Sequence, residues 1–92
     1  MKRAARIILQ GTVQGVFFRQ FVKENADKIG LVGFIRNLAS GDIEMVVEGE
    51  ADKIERFVKI IKKGPEHSQI RNVQIEERKW SDQFKDFQIL RF

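Results

Sequence analysis

Apolar positions along this chain follow two different periods, and the changes of period mark out its elements. Residues 6–10 are apolar and β-branched enough for a buried strand, and Gly11 and Gly15 bound the loop that follows. From Phe18 the spacing becomes helical: Phe18, Phe21, Val22, Ala26 and Ile29 share one face, with Lys23, Glu24, Asp27 and Lys28 elsewhere. Gly30 stands where a left-handed cap would end that helix. Residues 31–37 and 42–48 predict two strands of a hairpin turning through Leu38-Ala39-Ser40-Gly41, in which Ile43, Met45 and Val47 alternate with Glu44, Val46 and Glu48. A second helix is expected over residues 51–63 from the spacing of Ile54, Phe57, Val58 and Ile61. Glu50 and Asp52 lie near its start and Lys62 and Lys63 near its end, the order a helix dipole favours, and Gly64-Pro65 stops it. Residues 70–78 then read as a strand centred on Val73 and Ile75, residues 79–85 as a polar turn region, and residues 87–92 as a short final strand.

The order β-α-β-β-α-β with a short extra C-terminal strand predicts an α+β fold of the ferredoxin-like sandwich type. Two helices pack on one face of a mainly antiparallel sheet. The first helix makes a crossover between the first two strands, so those strands run parallel and their carboxyl ends meet at one edge of the sheet. Arg19 follows the first strand and Asn37 closes the second. The topology therefore brings these two residues to one pocket.

The segment from Gly11 to Arg19 gives that pocket its chemistry. It runs from a strand through a glycine turn into a helix start, where unpaired N–H groups and partial positive charge suit a tetrahedral anion. A guanidinium beside it can grip two of the anion's oxygens. Gly15 allows a tight turn, so the backbone of Gly15, Val16, Phe17, Phe18 and Arg19 is the expected phosphate cradle. Either Phe17 or Phe18 packs beneath it; spacing alone does not decide which.

Composition narrows the alternatives. The 92 residues, 42% hydrophobic, suit a single domain spanning residues 1–92. Cysteine is absent and His67 is the only histidine, which removes disulfides, thiol nucleophiles and thiolate zinc sites and leaves no metal and no cofactor expected. The basic start, Met1-Lys2-Arg3-Ala4-Ala5-Arg6, is followed by too short an apolar run for a signal peptide or a membrane span, so a cytoplasmic location is expected by default. A net charge of +4 favours anionic partners, although the basic residues are interleaved with 13 acidic ones rather than blocked together. Trp80 and Phe84 are expected to pack over the end of the sheet, and His67 to be a loop residue.

Two signatures resemble the acylphosphatase family over essentially the whole chain. The first, G-x-V-Q-G-V-x-F-R, is Gly11 to Arg19; the second is Gly33-Phe34-Ile35-Arg36-Asn37-Leu38-Ala39-Ser40-Gly41, with Gly49 after the next strand and Gly64-Pro65 after the second helix. Ser40-Gly41 replaces a common Asp-Gly, and Ile35 and Ile43 stand where valine is commoner, changes that touch no reacting group. The resemblance implies hydrolysis of small acyl phosphates, with phosphate bound by Arg19 and the preceding loop and a water held by Asn37. It implies a small-molecule substrate, a site that inorganic phosphate or sulfate can also occupy, and a monomer needing neither nucleic acid nor membrane. A carboxylate is a good leaving group, so such a site needs no nucleophile of its own. A further expectation is that the terminal carboxylate of Phe92 lies near Arg19 when the site is empty.

Ferredoxin-like domains also serve as RNA-binding modules, which stack bases on aromatics of the central strands. Here residues 6–10 and 42–48 contain no aromatic, and the latter carry Glu44 and Glu48. A ligand-sensing domain would have no reason to set Arg19 and Asn37 on one edge beside a glycine turn. A module inside a larger carbamoyl-transfer or maturation enzyme is the remaining alternative, and the end of the chain after its last strand favours a stand-alone protein.

Overall fold

The computed structural model describes residues 1–12, 15–65 and 69–91. Its elements are β1 (Lys2–Thr12), α1 (Gly15–Ile29), β2 (Val32–Asn37), β3 (Ile43–Glu50), α2 (Ala51–Lys63), β4 (Gln69–Arg78) and β5 (Phe87–Ile89). The strands form one sheet in the order β4-β1-β3-β2-β5. β3 pairs antiparallel with both β1 and β2, so β1 and β2 run in the same direction, and β5 joins β2 in parallel. This is the ferredoxin-like α+β sandwich that the periodicity predicts.

Alternate residues of the strands supply the core. Ile7 and Leu9 of β1, Ile35 of β2, Met45 and Val47 of β3 and Phe87 of β5 face Phe18, Val22 and Ala26 of α1 and Ile54, Phe57 and Ile61 of α2. Phe57 meets Phe87 at a centroid distance of 6.5 Å, joining α2 to the edge strand. Gly30 takes φ 94°, and the N–H groups of Gly30 and Leu31 both donate to the Ala26 carbonyl, closing α1 as its sequence predicts. Glu50, just before α2, makes no side-chain cap bond; its carboxylate instead accepts from the N-terminal ammonium at 2.8 Å. The Ala51 N–H donates to the Met1 carbonyl, so the start of the chain ties down the start of α2.

β3 departs from simple alternation, because all of Ile43 to Glu48 is buried. Its far face is covered by two devices. Glu44 accepts from Arg6 Nε at 2.6 Å and from Arg36 Nε at 2.5 Å. Glu48 accepts from the Ser81 hydroxyl at 2.7 Å and from the N–H groups of Ser81 and Asp82, which fastens residues 79–86 across the sheet. Phe84 in this strap lies 5.9 Å from Phe34 and packs on the sheet as expected, whereas Trp80 is 40% exposed, with Lys2 Nζ 4.7 Å from its ring. Having crossed, the chain is delivered to β2 as β5.

Glu44 supplies a test of this face. Burial raises its pKa, but the hydrogen bonds and charges of Arg36 and Arg6 outweigh that and hold it below its usual value of 4.5. A carboxyl depressed in the folded state stabilises fully above the unfolded pKa, and the contribution is lost as pH falls through the folded value. Glu44→Gln is expected to cost about 2 kcal/mol at pH 7, since it removes a charge-assisted acceptor shared by two donors. Urea unfolding of parent and variant should show that difference shrinking as pH drops below about 4.5. A difference that stays constant into acid would contradict the assignment.

Gly33 explains the first glycine of the second signature. Its φ is 140°, and an added Cβ would lie 1.8 Å from the Val46 carbonyl oxygen across the β2–β3 ladder. Its own N–H donates to the Asp86 carbonyl at 2.9 Å, where the strap reaches the sheet. Gly33→Ala is therefore expected to destabilise by about 3 kcal/mol through overpacking and backbone strain, lowering the melting temperature by at least about 10 °C. An unchanged thermal unfolding curve would rule out so close an approach.

Candidate active site

The register of the sheet places the site. Asn37 pairs with Ile43, and Ile43 with Leu9 on its other side, so the end of β2 lies level with the end of β1. β1 continues to Thr12, bending at a register shift between Gln10 and Gly11, and α1 begins at Gly15. The carboxyl ends of β1 and β2 and the amino end of α1 thus share one edge, as the crossover requires.

Gly15 to Arg19, whose backbone is the expected phosphate cradle, form the first turns of α1, so the helix starts earlier than Phe18, where its spacing begins. That placement decides which N–H groups lie outside the helical ladder. In an α-helix each N–H binds the carbonyl four residues earlier, so the N–H groups of Gly15, Val16 and Phe17 precede the ladder, while that of Arg19 lies over the Gly15 carbonyl. The Arg19 amide is thus engaged within the helix, and its side chain is free of that constraint. No acidic residue occupies the first turn of α1 to compete for those N–H groups. The structure also decides between the two phenylalanines: Phe18 is 1% exposed in the core, 6.2 Å from Phe21, and Phe17 is 80% exposed.

The helix is held over β5 by Lys23, whose ammonium donates to the Phe87 carbonyl at 2.8 Å and to Asp27 at 3.0 Å. Arg19 lies one turn earlier on the same face, towards the carboxyl ends of β2 and β5. Arg19, Asn37, Leu90 and Arg91 line a recess of about 340 Å³ there. Arg19 Nε is buried with no hydrogen-bond partner among the described residues. Burying a guanidinium N–H unpaired is costly, so this atom marks a place where an anion would complete the bonding. Val13 and Gln14 of the first signature, His67, and the Phe92 carboxylate lie outside the described residues.

Residues 5–89 match the acylphosphatase family profile. The chain belongs to the acylphosphatase family. It is 44% identical to an acylphosphatase of Bacillus licheniformis, covering 91% of this chain and 93% of that one, and 41% identical to an acylphosphatase of Aeropyrum pernix, covering 92% and 85%. The crystal structure of an acylphosphatase from Bacillus subtilis superposes with a TM-score of 0.90 at 34% identity, covering 98% of this chain and 99% of that one. A segment of full-length HypF, solved in a phosphate- and nucleotide-bound form, superposes with a TM-score of 0.88 at 40% identity, covering 98% of this chain but 12% of that one. The acylphosphatase fold thus occurs both as a chain of this size and as part of a larger protein. This chain hydrolyses acyl phosphates, and its substrate is a small molecule carrying a phosphoryl group.

Sequence reasoning brought Arg19 and Asn37 together correctly but missed Leu90 and Arg91. β5 pairs Ile35 with Ile89 in parallel, and the Leu90 N–H donates to the Ile35 carbonyl at 2.9 Å. Beyond this pairing Arg91 lines the same recess as Asn37. The signal lay in the final strand being parallel to β2, which periodicity does not reveal.

Proposed function

We propose that the phosphoryl group of the acyl phosphate docks against the first-turn N–H groups of α1 and the Arg19 guanidinium, and that Asn37 holds the attacking water. The buried Arg19 Nε, which has no partner among the described residues, carries this reading: it is a donor already paid for in desolvation, on a side chain that lines the recess. Asn37, on the same recess, has no usable basicity; its amide can accept from or donate to a water without competing for the water's proton. The water attacks phosphorus opposite the departing carboxylate, and its proton passes to a phosphoryl oxygen. The carboxylate leaves without a general acid because it is only weakly basic. The protein's part is position and charge.

On this reading the chain works as one domain over residues 1–92, as a cytoplasmic monomer, with no metal. Among the described residues no helix is long and apolar enough to cross a membrane. The nucleic-acid alternative is disfavoured because the open sheet face has its arginines engaged, Arg6 and Arg36 by Glu44 and Arg78 by Glu76. Incubating the purified protein with benzoyl phosphate in excess chelator should give steady hydrolysis that inorganic phosphate inhibits competitively. Hydrolysis no faster than buffer would overturn the reading.

A further inference from the structure

The four side chains of the recess include a second cation, and its position differs from that of Arg19. Arg19 hangs from α1 with its Nε buried, deep beside the helix start, whereas Arg91 is exposed beyond the end of β5. Among the described residues no ion pair is found for Arg91 and no carboxylate lines the recess with it. Leu90 and Arg91 line the same recess as Arg19 and Asn37, so they are the groups left there for the acyl part once the phosphoryl group is on Arg19.

Resting on the proposed docking of the phosphoryl group, we infer that Arg91 is a specificity-determining residue that recognises a second negative charge on the acyl part. The favoured substrates are then acyl phosphates of dicarboxylic acids, in which one carboxyl is phosphorylated and the other is free. A guanidinium can receive that free carboxylate through two parallel hydrogen bonds. Leu90 covers the aliphatic carbons between the two ends. The remote charge is the same in the ground state and the transition state, so the contact acts on binding rather than on the chemical step.

The test compares succinyl phosphate with butanoyl phosphate, which has the same carbon count and no second charge. The parent is expected to show a lower KM for succinyl phosphate, by about fivefold at low salt, as one solvent-exposed charge pair allows. Arg91→Gln should remove that preference through KM with kcat nearly equal for the two substrates, Arg91→Lys should restore part of it, and Arg91→Glu should reverse it. Added salt should erode the preference in the parent and leave Arg91→Gln unaffected. Equal losses on both substrates in Arg91→Gln, or a parent without charge preference, would overturn the role of Arg91 while leaving the proposed function intact. A parent that hydrolyses neither substrate would overturn both.

Discussion

Replacing Arg19 with alanine is expected to lower kcat/KM for benzoyl phosphate by about a thousandfold or more, the scale seen when a positioned cation on a transferring phosphoryl group is removed. The size follows from where the side chain lies. Its Nε is already out of water and has no partner among the described residues, so that donor needs no further desolvation when the anion arrives. Arg19→Lys should recover only a small part of the activity, because a single ammonium cannot present the forked donors of a guanidinium. Affinity for inorganic phosphate should fall with activity. Arg19→Met, which keeps the packed stem, should melt at or above the parent temperature, since it removes an unsatisfied buried donor. Activity and stability moving apart in this way would distinguish a ligand-binding arginine from a structural one. An Arg19→Ala enzyme retaining activity within tenfold of the parent would contradict the account.

Asn37→Ala is expected to reduce kcat by about a hundredfold or more while leaving inorganic phosphate binding nearly intact. Asn37 ends β2 beside the recess and is exposed, so truncating it opens no core cavity and should leave folding undisturbed. What is lost is the orientation of one water, an effect felt in the transition state more than in substrate binding. Asn37→Asp should be no better, because a carboxylate placed there repels the phosphoryl oxygens. Kinetics and phosphate titration of the two alanine variants therefore separate the roles: Arg19→Ala loses phosphate, and Asn37→Ala keeps it and loses turnover. Loss of phosphate affinity in both would mean that Asn37 binds the anion directly.

Much of this geometry is legible in the sequence wherever a local signal and the tertiary structure agree. α2 runs over residues 51–63 as predicted, because Asp52, the terminal lysines and Gly64 mark ends that packing does not move. β1 was foreseen only at residues 6–10, yet it extends over Lys2–Thr12. Its first residues look like a polar terminus, but Ala4 and Ala5 are small enough to be buried between β3 and β4. Glu44 and Glu48 alternate with apolar residues like solvent-facing side chains, and only the arginines and the strap, distant in sequence, bury them. The final strand, expected over residues 87–92, pairs only over Phe87–Ile89, and the residues released beyond it supply Leu90 and Arg91 to the recess. Arg19 and Asn37 were accessible because a crossover has one hand and one consequence for strand ends. Arg91 was not, since nothing local in the last strand tells parallel from antiparallel pairing.

The most direct test of the central claim, water attack on a phosphorus held at the start of α1, is the fate of solvent oxygen. Benzoyl phosphate hydrolysed by the enzyme in ¹⁸O-labelled water should give inorganic phosphate carrying the label and benzoate carrying none. Label in the benzoate carboxylate would mean that the carbonyl carbon is attacked, contradicting the roles given to Arg19 and Asn37.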